Sequence, residues 1–153
     1  MRRREFLAGF SSVGLVWVQG SRAQPAPKVA VVGVLSPFPA STAAAWHKAF
    51  TDGLRELGWL EGKNIHIEYR YADDKAARLA DLAADLVHLR VNVILTSVNT
   101  DTLAMKNATR TIPIVMASAG DPVGGGLVQS LSRPGGNITG LSQIAPDLAG
   151  KRL

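Results

Sequence analysis

The apolar positions of this chain change spacing several times, and each change marks an element. Lys28 to Leu35 is a continuous β-branched run, as expected for a strand buried on both faces. Ser36-Pro37-Phe38-Pro39 breaks it. From Thr42 to Leu57 the large apolar residues Trp46, Phe50, Leu54 and Leu57 fall at helical spacing, and Gly58 suits the stop. Asn64 to Tyr71 alternates, with Ile65, Ile67, Tyr69 and Tyr71 on one side and His66, Glu68 and Arg70 on the other. That is a half-exposed strand near a sheet edge. Lys75 to Arg90 returns to helical spacing, placing Leu79, Leu82, Ala83, Leu86 and Leu89 on one face.

The second half repeats the alternation. Asn92 to Thr96 is a short buried strand, and Thr100 to Ala108 fits one short helix. Ile112 to Ala117 is a fourth strand, with Pro113 near its start, where a missing N–H does least harm. Pro122 to Leu131 is expected to be a fourth helix, Asn137 to Leu141 a further short strand, and Pro146 to Leu153 the start of another helix. Four β–α alternations predict an α/β fold. Its core is an open parallel sheet with right-handed crossovers and helices on both faces.

Met116 to Gly140 holds seven glycines and two prolines in 25 residues. Such a stretch after a strand raises the question of a phosphate cradle. Gly120 and Gly125 have the spacing of a Walker loop, but Gly126 stands where the lysine must be. Gly124 and Gly126 start the dinucleotide pattern, but Gln129 stands at its third glycine. Neither motif is present. The local reading is a strand-to-helix corner, with Asp121 as N-cap, Pro122 at the first helical position, and Arg133 to Asn137 turning the chain back.

Charge changes the picture at one end only. The chain has 17 basic and 12 acidic side chains, and residues 1–23 hold four arginines and one glutamate, so the remainder carries 13 against 11. The basic balance therefore belongs largely to the leader, and no later segment clusters basic residues with aromatics as a nucleic-acid partner would require. The leader reads as an export signal. Arg2, Arg3 and Arg4 precede an apolar stretch, Phe6 to Val18, too short to span a bilayer. Ser21-Arg22-Ala23 then places cleavage after Ala23 and the protein in the periplasm. Arg3-Arg4 followed by Glu5-Phe6-Leu7 resembles a twin-arginine signal, although Arg2 stands where Ser or Thr is usual. Gln24 to Pro27 is a short lead-in. The absence of cysteine excludes disulfides, thiolate metal sites and a cysteine nucleophile.

In an open parallel sheet, ligands bind beyond the carboxyl ends of the strands, where the strand order reverses. Here the reversal is expected between the first and third strands. Three loops then share one rim: Ser36-Pro37-Phe38, Ser97-Val98-Asn99-Thr100 and Ser118-Ala119-Gly120-Asp121. Their hydroxyls, the Asp121 carboxylate and the N–H groups of helix N-termini suit a zwitterion. Asp121 would meet an ammonium and the N–H groups a carboxylate. The candidate ligand-binding residues are Ser36, Ser97, Asn99, Thr100, Ser118 and Asp121.

Five stretches together resemble a known family: the leader RRREF, AFTDGLRELGWLEGKNIHIEYRYAD, RLADLAADLVHLRVNVILT, TIPIVMASAGDPVGGGLVQSLSRPGGNITGLS and LAGKRL. They are similar to bacterial ABC-transporter substrate-binding proteins related to tryptophan/tyrosine uptake, which have the type I periplasmic-binding fold. The most specific part is DPVGGGLVQSLSRPGGNITG. The resemblance implies two Rossmann-like lobes joined by a hinge, with a small ligand clamped between them and delivered to an ABC permease in the inner membrane. It implies that Ser36 and the two later loops line the N-terminal lobe's side of the cleft. The expected organisation is a signal peptide at 1–23, lead-in at 24–27, N-terminal lobe at 28–136, hinge crossing at 137–146, and the truncated start of a second lobe at 147–153.

Other candidate chemistry is weak. His47, His66 and His88 are scattered and form no metal-ligand pair, so they read as surface or structural. Trp46, Trp59, Tyr69 and Tyr71 read as packing residues. Asp73-Asp74 reads as helix cap and solvent face. Asn137-Ile138-Thr139 matches a glycosylation acceptor, which means little behind a bacterial export signal. No serine pairs recognisably with His and Asp, and no cofactor or metal is expected. The leading expectation is a non-catalytic solute-binding protein. An exported enzyme on the same kind of sheet, and the effector-binding half of a sensor, are the alternatives.

Overall fold

The computed structural model describes residues 29–143. The expected signal peptide and lead-in, the last residues of the hinge segment and the start of a second lobe lie outside the described residues.

The chain forms β1 (Ala30–Ser36), α1 (Ala40–Glu56), β2 (Ile65–Tyr71), α2 (Leu79–His88), β3 (Val93–Thr96), α3 (Asn99–Ala108), β4 (Ile114–Ala119) and β5 (Ile138–Ser142). The five strands make one sheet in the order β2-β1-β3-β4-β5. Every pairing is parallel. The sheet is therefore the open parallel type expected from the sequence, with β2 at an edge and the order reversing between β1 and β3.

Right-handed crossovers decide where the helices go. The chain moves one way from β1 to β2 and the opposite way from β2 to β3 to β4. Consequently α1 lies on one face, and α2 and α3 lie on the other. The α2/α3 face carries the larger core: Leu35, Leu86, Ile94, Met105, Ile114 and Met116 are all buried there. The α1 face carries a smaller one, Val32, Val34, Ile65 and Ile67, against which Phe50 and Leu54 of α1 pack. Alternation along β1 feeds both cores, which explains why its sequence is apolar without a break.

The expected fourth helix does not form. After Asp121 the chain makes a single turn, with Gly125 N–H donating to Asp121 O at 2.9 Å and Leu127 N–H to Pro122 O at 2.8 Å. Gly126 then adopts a left-handed φ of 66° and the turn ends. Three consecutive glycines have too little helix propensity to continue it. Leu127 and Val128 fold under the loop and close the α2/α3-side core where the helix was expected.

The long helix expected from Lys75 to Arg90 is also divided, into a 3-10 turn, Ala76–Arg78, and α2. Asp73 and Asp74 do not cap it; both are left-handed, and the Asp73 carboxylate pairs with Arg78 at 2.5 Å. Ile138 to Ser142, within the segment expected to cross a hinge, pairs with β4 as the last strand.

The closest backbone approach in the sheet is at Gly140, whose φ is 141°. A Cβ there would run into the carbonyl oxygen and amide of Met116. Gly53, inside α1, has nothing within 4 Å of a built Cβ. Thermal and urea denaturation should separate the two. Gly140→Ala is expected to cost about 2–4 kcal/mol through strain and displacement of β5. Gly53→Ala is expected to gain about 0.5–1 kcal/mol through helix propensity. Equal effects would contradict this account of the β4–β5 pairing.

Candidate functional site

All strands being parallel, their carboxyl ends share one rim. Pairing places Leu35 beside Thr96 and Thr96 beside Met116, so the residues that follow each strand emerge side by side. The three expected loops therefore meet at the same end of the sheet. Their side chains have different surroundings.

Ser36 is fully buried. Its Oγ accepts the Phe38 N–H at 3.2 Å, a local turn that bends the chain into α1. Asn99 ties two loops together, with its Oδ1 accepting the Gly120 N–H at 3.0 Å. Asp121 Oδ1 accepts the Gly124 N–H at 2.8 Å and holds the glycine turn. A side chain at Gly124 would displace that carboxylate, which is the physical reason for glycine there. Ser97 and Ser118 are half-buried and face a cavity, and Thr100 is exposed.

The N-terminus of α3 is partly engaged from within, while the N–H groups of Asn99 and Thr100 have no hydrogen-bond partner among the described residues. The carboxylate of Asp101, fully buried, accepts the N–H of Ser97 at 2.5 Å, of Val98 at 3.0 Å and of Thr102 at 3.1 Å. The protein's own acid thus takes up the N–H groups just before the helix, beside the first helical N–H groups that the sequence reading offered to a ligand carboxylate. Asp101 went unnoticed because it reads as an ordinary first-turn acidic residue. Beside it, Thr102 Oγ1 donates to Val98 O at 2.5 Å and meets the buried Thr96 Oγ1 at 2.7 Å. This polar knot makes the β3–α3 corner rigid. The second expected anion site, a helix opening at Pro122, is absent because the helix is absent.

A cavity of about 420 Å³ opens at the rim on the α1 face. It exists because α1 covers β1 and β2, leaving that face of β3 and β4 uncovered beyond them. Val34, Leu95 and Ala117 form its floor, Trp46, His47 and Phe50 of α1 one wall, and Ser97, Ser118 and Gln143 its polar margin. Sequence reasoning found Ser97 and Ser118 and passed over Trp46, His47, Phe50 and Gln143. Trp46 and Phe50 fit the apolar stripe of a helix and so read as core. Yet Trp46 is 53% exposed, set edge-on to Phe38 with centroids 5.6 Å apart.

His47 sits in an aromatic cluster. Its ring lies 4.8 Å from Tyr69 and 5.5 Å from Tyr71, and its Nδ1 is 3.0 Å from Tyr71 Oη. Burial holds the His47 pKa below its ordinary value, and burial pushes Tyr69 up to about 12. At neutral pH this wall is uncharged. His66 pairs with Glu68 at 2.8 Å on the exposed side of β2, and His88 is exposed at the end of α2. Among the described residues no group of three or more His, Cys, Asp or Glu side chains is placed to hold a metal ion.

A larger cavity, about 540 Å³, lies at the opposite ends of the strands, between the end of α3 and the loop before β5. It is polar and lined by Lys106, Arg110 and Gln129, with Lys106 Nζ donating to Gly126 O. It shares no residue with the rim.

With that geometry in place, the chain can be set against known proteins. Residues 28–148 match the family model described as ABC transporter substrate binding protein. A stretch of 95 residues is 36% identical to the Tyrosine-binding protein of Clostridioides difficile (strain R20291), covering 62% of this chain and 28% of that one. Among solved structures, a conserved domain protein from Vibrio cholerae superposes with a TM-score of 0.73 at 34% identity, over 81% of this chain and 42% of its own. A Streptococcus pneumoniae ABC domain in complex with L-Trp gives 0.69 at 28% identity, over 74% and 38%. The ligand-free, open structure of a substrate binding protein with adhesive properties from Clostridium difficile gives 0.71 at 28%, over 78% and 41%. The chain thus spans less than half the length of each of these relatives.

The buried acid at the α3 corner makes stability depend on pH. Burial pushes the Asp101 carboxyl from 3.8 up to about 6, against the pull of its backbone donors. A folded-state value above the unfolded one means that Asp101 supports the fold below about pH 4 and loses this contribution as pH rises through about 6. At about 1.4 kcal/mol for each unit of displacement, the loss is on the order of 2–3 kcal/mol. Denaturant unfolding of the parent chain and Asp101→Asn at pH 4 and pH 7 checks it. The parent should lose that amount relative to the variant; a constant difference between the two would contradict it.

Proposed function

Because this chain belongs to the ABC transporter substrate-binding protein family, we propose that it is the extracytoplasmic solute-binding component of an ABC importer. In this reading the sheet rim forms one side of a ligand cleft, and the ligand is a small zwitterion of the amino-acid class with an apolar, aromatic side chain. The observation that carries it is the cavity at the switch point, apolar and aromatic on its floor and α1 wall, and edged by the hydroxyls of Ser97 and Ser118. The family's relatives with stated ligands, a tyrosine-binding protein and an L-Trp complex, support the ligand class.

The roles divide by chemistry. The ring of the ligand lies among Trp46, Phe50 and Leu95, where it leaves water. Its carboxylate meets the hydroxyls of Ser97, Ser118 and Thr100 and the Asn99 and Thr100 N–H groups at the start of α3, which have no partner among the described residues. Its ammonium meets the Asp121 carboxylate, whose Oδ1 is fixed by Gly124 N–H. Ser36 and Asn99 act by shaping the loops. Ser36 bends β1 into α1, and Asn99 holds the Gly120 loop against α3. Binding without transformation is the reading carried over from the family's description as substrate-binding proteins.

In this reading a second lobe closes over the ligand, and an importer's permease in the inner membrane reads the closed state. The leader, residues 1–23, carries the protein to the periplasm, where the mature chain begins after Ala23. No nucleic acid takes part.

An NMR titration of the isotopically labelled chain with single amino acids tests the assignment and registers even millimolar binding. L-tyrosine and L-tryptophan should shift signals of Trp46, Ser97, Val98 and Ser118, with little effect from L-glutamate. Shifts confined to the opposite cavity, around Arg110 and Gln129, or none at all, would overturn it.

A further inference from the structure

His47 has one ring nitrogen committed and one free. Nδ1 is held by Tyr71 Oη at 3.0 Å. Nε2 has no hydrogen-bond partner among the described residues, and the ring forms part of the cavity wall. The same cavity is lined by the apolar Val34, Phe50 and Leu95 and, at its margin, by Ser97, Ser118 and Gln143, none of which is hydrogen-bonded to Nε2. No buried side-chain nitrogen or oxygen lacks a partner among the described residues, so Nε2 is open to solvent, and a ligand filling the cavity beside it replaces that water.

Position gives the free nitrogen a meaning. His47 leans on Tyr69 and Tyr71 of β2, at one flank of the cavity. Ser97 and Ser118, following β3 and within β4, stand at the other. In the order β2-β1-β3-β4, the strand before Ser97 is two spacings from β2, roughly 10 Å, and the strand of Ser118 three, roughly 14 Å. The apolar floor of Val34 and Leu95 lies between the two flanks. A ligand that satisfies both flanks has a polar backbone at one end, an apolar body, and one polar atom at the far end.

We propose that His47 is a specificity-determining residue that hydrogen-bonds the distal polar atom of an aromatic ligand, the phenol of tyrosine or the indole N–H of tryptophan. The inference rests on the aromatic amino-acid reading given above and deepens it. Tyr71 is the positioning residue. Its hydroxyl either donates to Nδ1, leaving Nε2–H as a donor, or accepts from Nδ1–H, leaving Nε2 as an acceptor. The pair therefore matches a phenol oxygen in one tautomer, and a phenol O–H or an indole N–H in the other. Burial keeps both partners neutral at pH 7, lowering the pKa of His47 and raising that of Tyr71, so the exchange is available without a charge in the apolar wall. A ligand with a bare phenyl ring leaves Nε2 unsatisfied and displaces the water that would serve it.

The test compares L-tyrosine, L-tryptophan and L-phenylalanine by NMR titration of the 153-residue chain and of His47→Phe, which keeps a ring against Tyr69 and Tyr71 and removes both nitrogens. The parent is expected to favour tyrosine and tryptophan over phenylalanine by about tenfold, the scale of one partly buried neutral hydrogen bond. In His47→Phe that preference should fall to within about twofold, with phenylalanine affinity kept. Tyr71→Phe should give an intermediate preference. If His47→Phe does not fold, judged by its spectrum, His47→Leu takes its place under the same criterion. Unchanged preference in the variant, or equal binding of the three by the parent, overturns the role of His47 and leaves the aromatic reading standing. Binding of none of the three by the parent overturns the aromatic reading, and the role of His47 with it.

Discussion

A parallel sheet can be extended only through right-handed crossovers, and this constraint organises the whole molecule. The chain turns one way after β1 and the other way after β2, so the strand order reverses between β1 and β3. The reversal sends α1 to one face alone. From that follow the unequal cores, the part of the β3–β4 surface that no helix covers, and a cavity at the rim beside the switch point. The site is the place where the packing rules of the fold leave a gap.

The rim around this gap is held by side-chain to backbone hydrogen bonds. Asp101 gathers three backbone N–H groups of the β3–α3 corner, and Asn99 stitches that corner to the loop after β4. Asp121 holds the glycine turn by one N–H. The bonds of Asp101 are partly or fully buried and those of Asn99 and Asp121 are exposed; together they tie the two loops to each other. The glycines serve the same end. They let backbone come close to Asp121 and to β4 where a side chain would stand in the way.

Opposite these loops stands the α1 wall. α1 stands further from the sheet than α2 does, and it carries Trp46, His47 and Phe50 along the cavity. The stacked pair Tyr69 and Tyr71, parallel with centroids 6.1 Å apart, supports His47 from β2. The relatives to which the chain is similar include proteins whose stated ligands are tyrosine and L-Trp, and the aromatic composition of this wall is in keeping with them.

Periodicity by itself determined the parallel α/β fold, the edge position of β2 and the reversal between β1 and β3. These depend on which faces of each strand are apolar and on crossover handedness, both local or universal. It also brought the three rim loops together, because parallel strands end on the same side. It misjudged the segment after Asp121, where Asp-Pro signals a helix start but three glycines outweigh it. Only the tertiary structure decided which polar groups remain available. Asp101, which drew no notice in the sequence, is a buried acid; Ser36, one of the expected rim residues, is buried with its Oγ accepting the Phe38 N–H. Trp46 read as a packing residue and is largely exposed, Phe50 packs on the smaller core and also lines the cavity, and His47, read as surface or structural, stands in the cavity wall. A helical stripe tells which side of α1 faces the sheet, but not that the sheet extends past the helix and leaves part of that stripe looking into a cavity.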